Sequence, residues 1–254
     1  MIVQSPTIIS FLQQIFAQQN VDQAVIAVSG GIDSAVALTL ATRALTAEHV
    51  HALLLPFGQQ DMADAHTICA YNHLPQQNIH LINIAASVEA ITSSLNIDAG
   101  DQLRRGNIMA RVRMIFVYDL AKQKRALVVG TENKSEYYLG YFTRFGDEAS
   151  DVEPLSHLTK TQVRALAMEL GIPENIQAKA PSAGLWSGQT DEQELGFTYQ
   201  DVDTIIESSI SGSDASGSVQ IATAELVKNR IRSQAFKHHV PYRLVDNPTL
   251  SFDD

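Results

Sequence analysis

Apolar residues along this chain follow two habits. Short apolar runs stand at residues 24–28, 50–55, 79–84 and 126–129, and the stretches between them carry apolar positions at helical spacing. Runs of that length, separated by helical segments, predict a parallel sheet with helices on both faces, an α/β fold. An opening helix is expected over residues 8–16. Residues 106–121 include Met109, Val112, Met114, Ile115, Phe116, Val117, Tyr118 and Leu120, which are apolar around much of a helix's circumference. Such a helix is buried on more than one side, in a large core or between subunits. Further along, Thr159 and Gln162 have capping-box spacing and Gly171-Ile172-Pro173 is a stop signal, so a helix is expected over 159–170. Irregular chain is expected over 181–196 and helices over 199–210 and 219–236. The Ser- and Gly-rich stretch 208–218 reads as a mobile surface loop. No internal repeat is visible.

With 254 residues and 45% hydrophobic content, the chain can bury one sizeable core, so a single domain over 1–254 is expected. The only cysteine, Cys69, excludes an internal disulfide and a cysteine-rich zinc site, and its neighbours suggest a partly buried helical thiol. No window approaches the ~20 apolar residues of a membrane span, and the amino terminus lacks a basic region followed by an apolar run. A cytoplasmic protein with no membrane partner is expected. The net charge of −10 argues against general nucleic-acid binding, so any phosphate-rich substrate needs positive charge concentrated at a site. Basic residues do gather in the middle of the chain, among them Arg104, Arg105, Arg111, Arg113, Lys134, Arg144 and Lys160. Lys122, Lys124 and Arg125 read as a solvated helix end.

The run Ser29-Gly30-Gly31-Ile32-Asp33-Ser34 follows the first strand candidate and precedes a helix former. Adjacent glycines let backbone N–H groups approach an anion, and the start of the next helix favours negative charge there. A carboxylate beside a phosphate repels it unless a divalent cation lies between, so Asp33 reads as a Mg²⁺ ligand. The plainer alternative is a helix cap, which needs only one such residue. Neither a Gly-Lys-Ser/Thr ending nor a G-x-G-x-x-G spacing is present. A second turn, Gly130-Thr131-Glu132-Asn133-Lys134-Ser135-Glu136, follows the strand at 126–129. Ligands collect beyond the carboxyl ends of parallel strands, so both turns can face one site and Glu136 can supply a second carboxylate. Taken alone, Glu136 would complement a helix dipole.

The first run resembles the pyrophosphate loop, SGGxDS, of the N-type ATP pyrophosphatases. GN-x-x-AR-x-RM at 106–114, GT-x-x-x-SE at 130–136, GYFT-x-x-GD at 140–147 and PSAGLW-x-GQ-x-DE at 181–192 extend the likeness. In that order they resemble the ammonia-using NAD synthetases over nearly the whole chain. The resemblance implies an adenine-nucleotide α-hydrolase-like fold and a homodimer. It also implies a two-step reaction: the nicotinate carboxylate of deamido-NAD attacks the α-phosphate of ATP, and ammonia then displaces AMP from the acyl adenylate. By the same resemblance, Ser29, Gly30, Gly31, Ile32, Asp33, Ser34, Thr131, Lys160 and Ser182 bind ATP. Asp33 and Glu136 hold Mg²⁺, with Lys160 beside them in the catalytic set. Arg111, Arg144, Asp151 and Lys237 contact deamido-NAD, while Arg113, two residues from Arg111 on a helix and so on another face, is expected to pair elsewhere.

Three positions depart from the family pattern. Arg144 stands where lysine is usual, Ser182 replaces threonine, and Phe236-Lys237 replaces a His-Lys pair, leaving the histidine's contact missing or supplied by a neighbour such as His238. Trp186 is either a lid residue or a packing residue. Cys69 has no adjacent activating His or Lys, so free ammonia rather than glutamine is the expected nitrogen donor. Two other readings stay open: another N-type pyrophosphatase with a different acceptor, and a nucleotide-binding regulatory module without turnover.

Overall fold

Four parallel strands carry the fold, and residues 24–26 and 50–54 of two of them are buried on both faces. The structure, a computed structural model, describes residues 5–186, 188–212, 219–239 and 241. In chain order, α1 (Ser5–Gln18) leads into β1 (Gln23–Ala27), then α2 (Ile32–Leu45), β2 (Val50–Leu54), α3 (Ala63–Tyr71) and β3 (Ile79–Leu81). α4 (Ala85–Ser94) and the long α5 (Gln102–Lys124) precede β4 (Ala126–Val128). The remainder is helical: α6 (Lys134–Leu139), α7 (Lys160–Leu170), α8 (Glu174–Gln177), α9 (Asp191–Leu195), α10 (Tyr199–Ser211) and α11 (Ile221–Gln234), closed by a 3-10 turn at Ala235–His238.

The sheet order is β3-β2-β1-β4, with every pair parallel. Ala24, Ile26, Val28, Val50, Ala52 and Leu54 pack against α1, α2, α3 and α7 on one face. Val25, Leu53, Leu55 and Val128 pack against α4 and α5 on the other. This alternation follows from the two-residue side-chain period of a strand, and covering both faces is what a parallel sheet requires. α2 is buried along residues 34–41. Its small Ala35, Ala37 and Ala41 let it lie close to the sheet. A third cluster, with Leu139, Phe197, Tyr199, Val202, Ile205, Ile206 and Val227, joins α6, α10 and α11.

The chain moves from β1 outward to β3, then returns to place β4 on the other side of β1. Loops leaving β1 and β4 therefore diverge at their carboxyl ends and open a crevice there, the usual binding position in an open α/β sheet.

Several boundaries differ from the sequence reading. α5 begins earlier than residue 106 because Asp101 caps it, accepting from Arg104 N–H at 3.2 Å. The irregular segment contains α9, and residues 208–211 continue α10 rather than opening a loop; residues 213–218 of that expected loop lie outside the described residues. Cys69 is fully buried, not partly. The capping box of α7 is as expected, and Lys122, Lys124 and Arg125 do end α5, with Arg125 in the left-handed conformation.

Candidate active site

The crevice is framed first by the turn after β1. Val28 continues the sheet, donating to the Leu53 carbonyl at 3.0 Å, and the chain then reverses through Gly30 at φ 80°. A β-carbon at Gly30 would come within 2.8 Å of the Asp64 β-carbon and 2.9 Å of the Ala65 nitrogen, so glycine is needed for both conformation and space. Serines pin the turn from inside. Ser29 Oγ accepts from the Gly31 N–H at 3.3 Å, and Ser34 Oγ donates to the Gly31 carbonyl at 3.0 Å. Gly31 caps α2 with no side-chain hydrogen bond. The N-terminal end of a 14-residue helix thus faces the crevice without a side-chain cap, an arrangement suited to phosphate oxygens.

The second frame is the turn after β4. Gly130 N–H pairs with the Val152 carbonyl at 2.9 Å, and a β-carbon there would fall 1.7 Å from Glu153 Oε1. Asn133, wholly buried, caps α6 by accepting from Glu136 N–H at 3.0 Å and donates to Asp33 Oδ1 at 2.9 Å. One amide thereby locks the two turns together. α7 adds the third part: its first residue, Lys160, donates its backbone N–H to Ser135 Oγ at 2.9 Å. The buried Asp203 of α10 accepts from Ser135 Oγ and, at 2.8 Å, from Thr161 N–H, tying the starts of α6 and α7 together.

At the centre, Lys160 Nζ lies 2.6 Å from Asp33 Oδ2 and 2.8 Å from Glu136 Oε1, with its side chain 3% exposed. Burial opposes the charge on Lys160, but the two carboxylates outweigh it and hold its pKa above the ordinary lysine value. Burial also raises Glu136 above the usual carboxylate range; Lys160 opposes that shift and Asp33 adds to it. Two carboxylates around one ammonium leave a negative excess. Groups of three or more potential metal-holding side chains are absent among the described residues. A pair of carboxylate oxygens fits Mg²⁺, which is commonly held by one or two carboxylates plus substrate phosphates.

The cleft has a volume of about 440 Å³. Ser29, Gly31, Ile32, Asp33, Ser34, Thr131, Glu136, Lys160 and Ser182 line it; Gly30 does not, being packed against α3. The segment bearing Ser182 is held by the buried Asp191, which accepts from Ala183 N–H at 3.0 Å and from the Tyr199 hydroxyl at 3.1 Å. Tyr199 lies beneath Lys160, with Nζ 5.1 Å from its ring centre.

The remaining expected residues stand apart from the cleft lining. Arg111 is exposed and donates to the Arg144 carbonyl at 3.2 Å, and the Arg144 guanidinium lies 5.1 Å from the Phe236 ring centre. Lys237 Nζ donates to the Gly140 and Phe142 carbonyls at 2.5 and 2.8 Å. These three therefore gather around the 140–146 loop. Asp151 accepts from Val128 N–H at 2.7 Å at the end of β4. His238 stacks on Tyr137, ring centres 4.0 Å apart, and its Nδ1 has no hydrogen-bond partner among the described residues.

Arg113 does pair elsewhere, donating to the Leu55 carbonyl at 3.1 Å and to Gln60 Oε1 at 3.2 Å, yet it also lines the cleft. Sequence reading missed Asn133, Asp191, Tyr199 and Asp203. The Asn133 cap position, three residues before Glu136, and the place of Asp191 in the 181–192 motif offered local signals. Glu132 was also unmarked: burial first, then Glu153 and Glu136, push its carboxyl up to about 9.

Residues 5–241 match the family model described as NAD synthase. The chain is 44% identical over 200 residues to the NH(3)-dependent NAD(+) synthetase of Thermococcus sibiricus, covering 78% of this chain and 77% of that protein. It is 40% identical over 220 residues to the protein of the same name from Chlorobium phaeobacteroides, covering 84% and 77%. Among solved structures, NMN synthetase from Francisella tularensis superposes with a TM-score of 0.82 at 36% identity, covering 97% of both chains. The NH3-dependent NAD synthetase from Campylobacter jejuni gives 0.79 at 29% identity, covering 95% of this chain and 97% of that one. With a model matched across most of its length and relatives at this level of identity, the chain belongs to the NAD synthase family.

Proposed function

We propose that this chain amidates deamido-NAD to NAD with ammonia, using ATP and releasing AMP and pyrophosphate through an acyl adenylate. The observation that carries the reading is the meeting of Asp33, Glu136 and Lys160 at the N-terminal end of α2, beside the glycine turn. A carboxylate attacking a triphosphate needs neutralised charge and in-line placement more than proton transfer, and this cleft offers fixed charge with no nucleophilic relay among the described residues. The α2 N-terminal end, Ser29, Ser34, Thr131 and Ser182 would hold the phosphates and nucleotide. Asp33 and Glu136 would hold Mg²⁺, which when bound neutralises charge on the phosphates as pyrophosphate leaves. Arg111, Arg144, Asp151 and Lys237 are assigned to deamido-NAD outside the cleft.

Free ammonia is the donor in this reading. Cys69 is buried in the core, and burial pushes its thiol up to about 11, so it is no nucleophile for glutamine hydrolysis. A single cytoplasmic unit acting as a homodimer fits the exposed Leu103 and Ile115 of α5. A monomer in sedimentation at micromolar concentration would contradict the dimer. No helix among the described residues is long and apolar enough to cross a membrane.

A second acceptor deserves a test because the Francisella tularensis protein, matched over 97% of both chains, is described as an NMN synthetase. Amidating nicotinate mononucleotide is the same chemistry on half of the dinucleotide. Purified protein with ATP, Mg²⁺, ammonium and both acceptors in competition is expected to yield mainly NAD. Mainly NMN would overturn the acceptor and keep the chemistry, and failure to form AMP with either acceptor would overturn both.

A further inference from the structure

The cations lining the cleft are not equally committed. Lys160 is enclosed by two carboxylates of the cleft itself. Arg113 is spent on a carbonyl and an amide. Lys179 also lines the cleft, but its ammonium is bonded to a residue outside the lining: Nζ lies 2.7 Å from Asp64 Oδ2. Its side chain is 48% exposed and that of Asp64 29%, so the contact is wet and exchangeable, unlike the buried pairs of Lys160.

Asp64 sits immediately behind the glycine turn. It lies in the first turn of α3, and its β-carbon is the atom that a side chain at Gly30 would strike. Its other carboxylate oxygen accepts from Asn175 at 2.8 Å, which fixes the carboxylate from the opposite side. Lys179 is therefore stationed next to the turn that receives phosphates, by a partner that does not itself reach the cleft. Charge gives it a reason to leave. Asp33, Asp61, Glu136, Asp147 and Asp191 line the cleft against Arg113, Lys160 and Lys179, so a bound triphosphate deepens an existing negative excess. An ammonium then gains more from phosphate oxygens in the cleft than from one half-exposed carboxylate.

We propose that Lys179 is a phosphate-contacting residue held in reserve by Asp64: when a triphosphate or pyrophosphate occupies the glycine turn, the Lys179 ammonium exchanges Asp64 for its phosphate oxygens. This rests on the ATP-using reading above and adds to it a contact and a competitor. Asp64 weakens ATP and pyrophosphate binding by holding their ligand, and so favours pyrophosphate release.

The test is a double-mutant cycle read by calorimetric binding of Mg·ATP and of Mg·pyrophosphate, with thermal unfolding to confirm that each variant is folded. Lys179→Met is expected to weaken both ligands by about tenfold, the scale of one hydrogen bond to a charged group. Asp64→Asn should tighten both by about two- to fivefold, because breaking a half-exposed ion pair frees the lysine. The double variant should match Lys179→Met, and Lys179→Arg should recover most of the loss. A merely structural ion pair gives no such opposition of sign. Asp64→Asn that weakens binding, or that tightens it equally in the Lys179→Met background, would overturn the exchange. Wild-type protein that binds neither ligand would overturn the ATP-using reading itself, and the exchange with it.

Discussion

At the scale of single residues, Asp33 is the most exacting position. It accepts from Asn133, pairs with Lys160 and stands in the first turn of α2, so its charge serves the site while its shape serves the turn. Asp33→Asn keeps the shape, and Lys160 retains Glu136 as a partner. Adenylate formation is expected to fall by at least ~10²-fold, the scale of losing one electrostatic stabiliser, with little change in unfolding temperature. Near-normal turnover in the purified variant would reduce Asp33 to a residue that complements the α2 dipole. This residue was legible in the sequence because glycines, serines and a carboxylate stood together between a strand and a helix. Asn133 and Asp203 were not legible, since their partners lie far away in the chain: Asn133 meets Asp33 across 100 residues, and Asp203 meets Ser135 across 68. Long-range hydrogen bonds leave no periodic trace. Arg111 and Arg113 were separated correctly by helix geometry, yet Arg113 lines the cleft while Arg111 is at the surface.

At the scale of elements, β2 and β3 carry a pair of histidines outside the cleft lining. The buried His51 shares Nε2 with Gln23 Oε1 at 3.1 Å and Nδ1 with His80 Nε2 at 3.4 Å. Burial, then Lys124 and His80, lower its pKa from 6.5 to about 4. His51 is therefore neutral in the fold and gains a proton on unfolding at intermediate pH. Its contribution is full above pH 6.5 and is lost as pH falls toward about 4. Unfolding temperature should decline across that window, with a shallower slope in His51→Gln; an unchanged slope would place the acid sensitivity elsewhere. The strands themselves were legible from their apolar runs. Short helices were not: α8 has 4 residues and α9 has 5, too few for a full amphipathic period, and tertiary contacts hold them rather than propensity.

At the scale of the whole molecule, topology makes the site. Returning the chain to place β4 beside β1 opens the crevice, α6 and α7 bring Glu136 and Lys160 to it, and α10 secures both helices through Asp203. Parallel architecture was legible from alternating runs and periods, whereas the sheet order was not, because pairing partners are set by packing across the sheet. The residues proposed to hold phosphate stand mostly in short motifs and line one cleft. The residues proposed for the acceptor, Arg111, Arg144, Asp151 and Lys237, are scattered along the sequence, and only their folding brings three of them to the 140–146 loop. The central claim is that this cleft transfers an adenylyl group to the acceptor's carboxylate. Supplying deamido-NAD with heavy oxygen in that carboxylate, together with ATP, Mg²⁺ and ammonium, follows the atom directly. Attack on the α-phosphate, followed by displacement with ammonia, predicts AMP carrying the heavy oxygen and unlabelled pyrophosphate. Unlabelled AMP alongside newly formed NAD, or label in inorganic phosphate with ADP as co-product, would contradict it.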